Sequence, residues 1–247
     1  MGGIKKLKTS IIIPARFKSS RFPGKPLKKI LGIPLVIRVA LISEKAVGKK
    51  NVYIATDSKK ISNLVEKHGF NFIMTSSKNL TGTDRVAEAS KKIKSDIFIN
   101  VQGDEPLISH RDIKKIIKRK IKNIDKVICG YSKISKMESP QSNSIPKVVI
   151  NEKKELIYIS RSVIPGSKKK IKTFLKQICI YAFTKNELSI FRKFNRKSIV
   201  EKIEDIEILR FFELNKKILM EKINTSPIAV DYPSDIKKVE YILKNKF

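Results

Sequence analysis

Apolar residues recur along the chain in short blocks separated by polar turns. Ile11, Ile12 and Ile13 are consecutive within residues 10–14, the pattern of a strand buried on both faces. A polar loop carrying Pro23, Gly24 and Pro26 follows. Residues 35–46 place Leu35, Val39 and Ile42 roughly on one face, which predicts a helix. Residues 51–55 read as a strand, 61–68 as a short helix closed by Gly69, and 71–74 as a third strand. Residues 84–93 read as a helix, 96–101 as a fourth strand that stops abruptly at Gln102-Gly103, and 113–121 as a helix. This alternation predicts an α/β fold: a mostly parallel twisted sheet with helices on both faces. Ligand sites in such sheets form beyond the carboxyl ends of the strands. The loops after Ile13, Ala55, Met74 and Val101 should therefore converge.

The second half has a different rhythm. Residues 147–150 and 156–160 read as strands joined by a polar turn, followed by a basic loop over 168–172 and a strand over 177–184. Residues 185–194 and 206–214 read as helices, 218–223 and 228–231 as late strands, and 234–244 as a final helix capped by Ser234. There is no repeat and no low-complexity linker. The expected division lies near residue 130, between a core (residues 1–130) and a smaller mixed α+β lobe (residues 131–247) integrated with it as one structural domain.

Composition narrows the classes. The chain has 247 residues and is 41% hydrophobic, enough to fill a core, so disorder is not its default. Its formal net charge of +31 invites a nucleic-acid reading. Lysine greatly outnumbers arginine, however, and the lysines are spread along the chain rather than gathered in one arm, as AT-rich coding would produce. The charge still favours polyanionic small molecules. Cys129 and Cys179 each lie in an apolar stretch and read as buried thiols, without zinc-ligand spacing. The N-terminal apolar run is too short for a signal segment or a membrane span, so a cytoplasmic protein is expected.

The richest segment is residues 14–27, PARFKSSRFPGKPL. It leaves a buried strand carrying Arg16, Lys18, Arg21 and Lys25, with Ser19, Ser20 and Gly24 small enough for backbone amides to approach a ligand. Cations and accessible N–H groups suit a triphosphate. Neither the dinucleotide glycine pattern nor the P-loop pattern is present.

With this loop the sequence resembles the CMP-Kdo synthetases (3-deoxy-manno-octulosonate cytidylyltransferases). Further motifs stand in that family's order: Ala55-Thr56-Asp57, TGTDR over 81–85, VQGDEP over 101–106, SRSVIP over 160–165 and VDYPSD over 230–235. The resemblance implies a Rossmann-like nucleotide-diphospho-sugar transferase fold, with a nucleotide-binding core and a sugar-binding and dimerisation lobe. It implies transfer of CMP from CTP to the anomeric hydroxyl of Kdo, or a related 2-keto-3-deoxy sugar acid, for surface-glycan synthesis. It also implies a homodimer and Mg2+.

Residue by residue, it assigns Arg16, Lys25 and Asp104 to catalysis. Pro14, Ala15, Arg16, Ser19, Lys25, Thr81, Thr83, Arg85 and Gln102 fall to the nucleotide, and Arg161, Gln177, Tyr181 and Glu207 to the sugar. Asp104 and Asp231 are the metal pair. Taken alone, Thr81 or Thr83 reads as a helix N-cap and Arg85 as half of an ion pair. Asp235 suits the first turn of the last helix. The chain departs from the family at three places. Gln177 stands where a His is usual, Ile208 where a Gln commonly follows the glutamate, and Gly166 where an aromatic usually follows the proline. The first two replace polar groups expected to read the sugar, and so imply a relative of Kdo such as an amino derivative.

Three alternatives stand beside this reading. A CMP-nonulosonate synthetase would share the first loop but not QGDEP and SRSVIP. A non-catalytic nucleotide-binding protein would show a damaged metal pair or phosphate loop. A basic nucleic-acid-binding protein would show steep salt-dependent affinity that CTP does not compete away.

Overall fold

The computed structural model describes residues 7–18, 22–169, 173–225 and 227–245. The first half runs β1 (Thr9–Ala15), a small hairpin of β2 (Lys29–Ile30) and β3 (Ile33–Pro34), α1 (Leu35–Val47), β4 (Val52–Thr56), α2 (Lys59–Lys67), β5 (Asn71–Met74), α3 (Gly82–Ser90), β6 (Ile97–Val101) and α4 (His110–Lys122). The second runs β7 (Val127–Lys133), β8 (Lys147–Ile150), β9 (Leu156–Ser160), β10 (Leu175–Thr184), α5 (Lys185–Lys193), α6 (Ile199–Glu204), α7 (Arg210–Glu213), β11 (Ile218–Lys222) and α8 (Pro233–Lys244).

The main sheet has the order β11-β7-β10-β6-β1-β4-β5, with the β8–β9 hairpin attached beside β10. β1 pairs in parallel with β4 and β6, β4 with β5, and β11 with β7. β10 is antiparallel to both β6 and β7, so it alone reverses direction along this path. The expected division near residue 130 falls inside β7, and strands from both halves share one sheet.

The isoleucine run of β1 shows why the sheet sits in the middle. Ile11 and Ile13 enter one apolar cluster with α1, α2 and α4, while Ile12 enters another with α3, α5 and α7. All three are fully buried. Successive strand side chains point to opposite faces, so a continuous apolar run demands cover on both. A third cluster joins Phe22 and Leu35 to Leu107, Val230 and Val239, clamping α8 against the first loop.

Several elements differ from the sequence expectations. Residues 206–214 form not one helix but a 3-10 turn (Glu207–Leu209) followed by the single turn α7. Ile206, Ile208, Leu209 and Phe211 there are buried in the chain's own core. Residues 228–231 are not a strand. They lie between Pro227 and Pro233, which cannot donate to a ladder, and Val230 N–H instead donates to the Asp104 carbonyl at 2.9 Å. α8 starts at Pro233 after Tyr232 as N-cap, not after Ser234. Proline is pre-set for the first helical position. The Asp235 carboxylate accepts from the N–H groups of Asp231 and Tyr232 at 3.1 and 2.9 Å. β7 and α6 have no counterpart among the elements that the sequence pattern predicts. Among the described residues no helix is long and apolar enough to cross a membrane.

Candidate active site

The loops after β1 and β6 meet where the strand-end rule places a site. An added Cβ on Gly103 would lie 3.1 Å from the Pro14 carbonyl, so the absence of a side chain there permits the contact. Lys25 reaches across from the first loop. Its Nζ lies 2.7 Å from Asp104 Oδ2 and donates to the Val230 carbonyl at 2.9 Å. With the Val230–Asp104 backbone bond, this brings Asp104 and the 230–231 segment together. Arg16 is exposed at the mouth of the cleft. Ser19, Ser20 and Arg21 lie outside the described residues, as does the end of the basic loop over 168–172.

A cavity of about 170 Å³ occupies the junction, lined by Pro14, Ala15, Arg16, Lys25, Thr81, Gly82, Arg85, Gln102 and Asp104, among others. Of the expected nucleotide residues that are described, it gathers all but Thr83. Thr83 is fully buried behind it. Thr81 caps α3, its hydroxyl accepting from Asp84 N–H and donating to Asp84 Oδ2 at 2.8 Å. Arg85 forms the ion pair that its motif allowed, 2.9 Å from Asp57, and also bonds Thr75 at 2.6 Å. It thus ties the end of β4 to α3 and lines the cavity as a fixed wall.

Two further cavities adjoin the first through Gln102. One, of about 240 Å³, is lined by Arg16, Thr81, Arg161, Gln177, Cys179, Tyr181 and Glu207 among others. The other, of about 510 Å³, includes Asp104, Glu105, Arg161, Gln177 and Asp231. All four expected sugar residues therefore line one space beside the nucleotide cleft. Arg161 donates from Nε to the Glu204 carbonyl at 2.6 Å, from Nη1 to the Asn143 carbonyl at 2.8 Å and from Nη2 to the Asp205 carbonyl at 3.1 Å. Three of its five N–H groups thus pin neighbouring segments. Gln177 Nε2 donates to the Tyr181 hydroxyl at 3.1 Å. Burial raises the Tyr181 phenol well above its ordinary range, so it stays neutral.

The departures separate in space. Gln177 faces the acceptor cavities, but Ile208 is fully buried in the cluster with Phe183 and Phe211. Ile208 cannot read a sugar hydroxyl in either chemistry or position. Gly166 lines a different cavity with Val148 and Leu175. Cys129 is the buried thiol expected, whereas Cys179 is half-buried and lines both acceptor cavities.

Other groups carry no role in the sequence reading. Glu105 is buried and its Oε1 accepts from Cys179 N–H at 3.0 Å, while Oε2 has no partner among the described residues. Burial, with repulsion from Asp104 and Asp231, pushes its carboxyl up to about 7. Among the described residues no three His, Cys, Asp or Glu side chains gather as a metal-holding cluster; carboxylate oxygens are nevertheless the hard donor type that magnesium takes. Arg210 is fully buried and bridges Asp84, at 2.8 Å, to Glu201, at 2.7 Å, linking α3 to α6. Its one signal in the sequence is Asp84 inside TGTDR: a carboxylate in a buried helix turn needs a partner.

The family model for cytidylyltransferases matches residues 10–218. The chain belongs to the cytidylyltransferase family. It is a nucleotidyltransferase by that membership. It is 38% identical to a 3-deoxy-manno-octulosonate cytidylyltransferase of a Nitratiruptor species, over 93% of this chain and 97% of that one. It is 34% identical to an 8-amino-3,8-dideoxy-manno-octulosonate cytidylyltransferase of Shewanella oneidensis, over 95% and 98%. Its fold superposes with a TM-score of 0.87 on a CMP:2-keto-3-deoxy-manno-octonic acid synthetase solved with CTP, at 33% identity, covering 97% of this chain and all of that one.

Proposed function

We propose that this cytidylyltransferase transfers CMP from CTP to the anomeric hydroxyl of a 2-keto-3-deoxy sugar acid of the Kdo class. The observation that carries the reading is the meeting of Lys25, Asp104 and the 230–231 segment beside a cavity that opens through Gln102 onto Arg161, Gln177, Tyr181 and Glu207. In the reaction the hydroxyl oxygen bonds to the α-phosphorus, the bond from that phosphorus to the bridging oxygen breaks, and pyrophosphate leaves with the bond's electrons. The hydroxyl proton passes to solvent. Arg16 and Lys25 stabilise the charge gathering on the phosphate oxygens, and the cavity walls hold the two substrates in line.

Asp104 and Asp231 would hold Mg2+, which when bound neutralises triphosphate charge and polarises the reacting phosphate. The backbone bond from Val230 N–H to the Asp104 carbonyl supports the pairing, since it holds the residue before Asp231 against Asp104. Cytoplasmic residence follows from the substrate CTP. Assembly as a homodimer is supported by Ile199 and Ile203, exposed on α6 at 71% and 77%, and by Ile157, exposed on β9.

A second reading concerns the sugar. Gln177 faces the acceptor cavities in place of the usual imidazole, and so favours a relative of Kdo such as its 8-amino derivative. Incubation with CTP, Mg2+ and a panel of plain, amino-substituted and nonulosonate acids, followed by detection of CMP-sugar, tests both. No product with any Kdo-class acid overturns the proposal. Clear preference for plain Kdo overturns the second reading.

A further inference from the structure

The family resemblance has Glu207 reading sugar hydroxyls directly, yet both its carboxylate oxygens are already engaged by the protein. Oε2 accepts from Thr83 N–H at 2.9 Å, and Oε1 accepts from Gln102 Nε2 at 2.9 Å. Burial raises the Glu207 carboxyl above its ordinary range, while hydrogen bonds from Thr83 and Thr81 oppose that shift and favour the charged form. The Gln102 amide is seated with its nitrogen on Glu207 Oε1 and its carbonyl oxygen away from it. Among the described residues no protein group donates to that oxygen, and Gln102 stands where all three cavities join.

Gly82 completes the seat. A Cβ there would lie 2.9 Å from Gln102 Nε2, 3.2 Å from its Oε1 and 3.4 Å from Glu207 Oε2. Any side chain at residue 82 displaces the amide. Gly82 is also the first residue of α3, whose Thr81 cap and Thr83 N–H fix it against Glu207.

We propose that Glu207 and Gly82 are positioning residues that lock the Gln102 amide with its carbonyl oxygen toward the cleft, making it a hydrogen-bond acceptor for an N–H or O–H group of the bound substrates. The inference rests on the proposed cytidylyl transfer for its kinetic readout. It assigns Glu207 an action through Gln102 rather than on the sugar. The donor is either the exocyclic amine of the cytosine or a hydroxyl of the sugar acid, and the KM of each substrate tells them apart.

The test is a double-mutant cycle. In E207Q the new amide keeps an acceptor for Thr83 N–H and turns its own NH2 toward Gln102. Gln102 must then flip and present a donor to the cleft. The expected loss in kcat/KM is about tenfold to a hundredfold, with the melting temperature nearly unchanged. The substrate whose KM rises identifies the donor. In a Q102A background, E207Q should cost less than about twofold, because Glu207 then has nothing to orient. G82A should behave like E207Q in both backgrounds and serves if E207Q folds poorly. Losses that add fully in the Q102A background overturn the proposal, since Glu207 would then act directly on substrate.

A second readout does not depend on turnover. The Gln102 side-chain 15NH2 resonances, identified by their loss in Q102A, should include one exchange-protected proton in the wild type and none in G82A. Two rapidly exchanging protons in the wild type overturn the proposal. A wild type with the protected proton but no CMP-sugar product would fail the proposed reaction and leave the amide lock standing.

Discussion

The nucleotide cleft and the acceptor cavities are built differently. The cleft takes its walls from the ends of the parallel strands β1 and β6, their loops and the start of α3. Its charged side chains are cross-braced, with Lys25 on Asp104 and Arg85 on Asp57. The acceptor cavities take theirs from β10, the strand antiparallel to both its main-sheet neighbours, and from the irregular segments around Arg161 and Glu207. There the polar groups hold one another: Arg161 on three carbonyls, Gln177 on Tyr181, Glu207 on Gln102. A change in the cleft therefore strikes the chemistry, whereas a change in the acceptor wall shifts which sugar fits or loosens the wall.

The largest expected effect is in the cleft. Asp104→Asn keeps the shape and the Lys25 bond to Val230 but removes charge where several kcal/mol of stabilisation is proposed, so kcat should fall on the order of a thousandfold. Circular dichroism should show the fold retained. Near-normal turnover would remove Asp104 from the chemistry.

Ile208→Gln should separate position from family pattern. Restoring the residue common in relatives puts an unpartnered amide into a fully buried site, and stability should fall by about 2–3 kcal/mol without a change in acceptor preference. Thermal melts and the acceptor panel measure the two parts. A switch in preference with an unchanged melting temperature would place residue 208 in the sugar wall after all.

The smallest effect is expected from Gln177→His. The side chain faces the cavities, so the ratio of kcat/KM between plain and amino-substituted acids should move by roughly tenfold, with CTP affinity unchanged. An unaltered ratio would take residue 177 out of acceptor choice.

The legibility of the sequence follows the same boundary. Three consecutive isoleucines announce a doubly covered strand, and the small and cationic residues after them mark its loop as a site. Each signal is local, so pattern alone carries it. β7 escapes the pattern because its apolar run joins the sheet beside β10, a pairing of residues far apart in sequence. The strand expected at 228–231 fails because two prolines and the Asp104 carbonyl decide that segment, not its propensity. Motif order puts Glu207 at the acceptor cavity, but only three-dimensional structure shows both its oxygens engaged. Ile208 teaches the converse: adjacent residues of one motif face opposite ways, one to the cleft and one to the core.

The central claim is cytidylyl transfer from CTP to a Kdo-class acid, and 31P NMR of one reaction mixture tests it most directly. With enzyme, Mg2+, CTP and the sugar acid, the β-phosphate signal of CTP should disappear as pyrophosphate and one new phosphodiester signal grow in equal amounts. Both should be absent when the acid is omitted. CTP left intact, or inorganic phosphate appearing in place of pyrophosphate and the phosphodiester, would contradict the account.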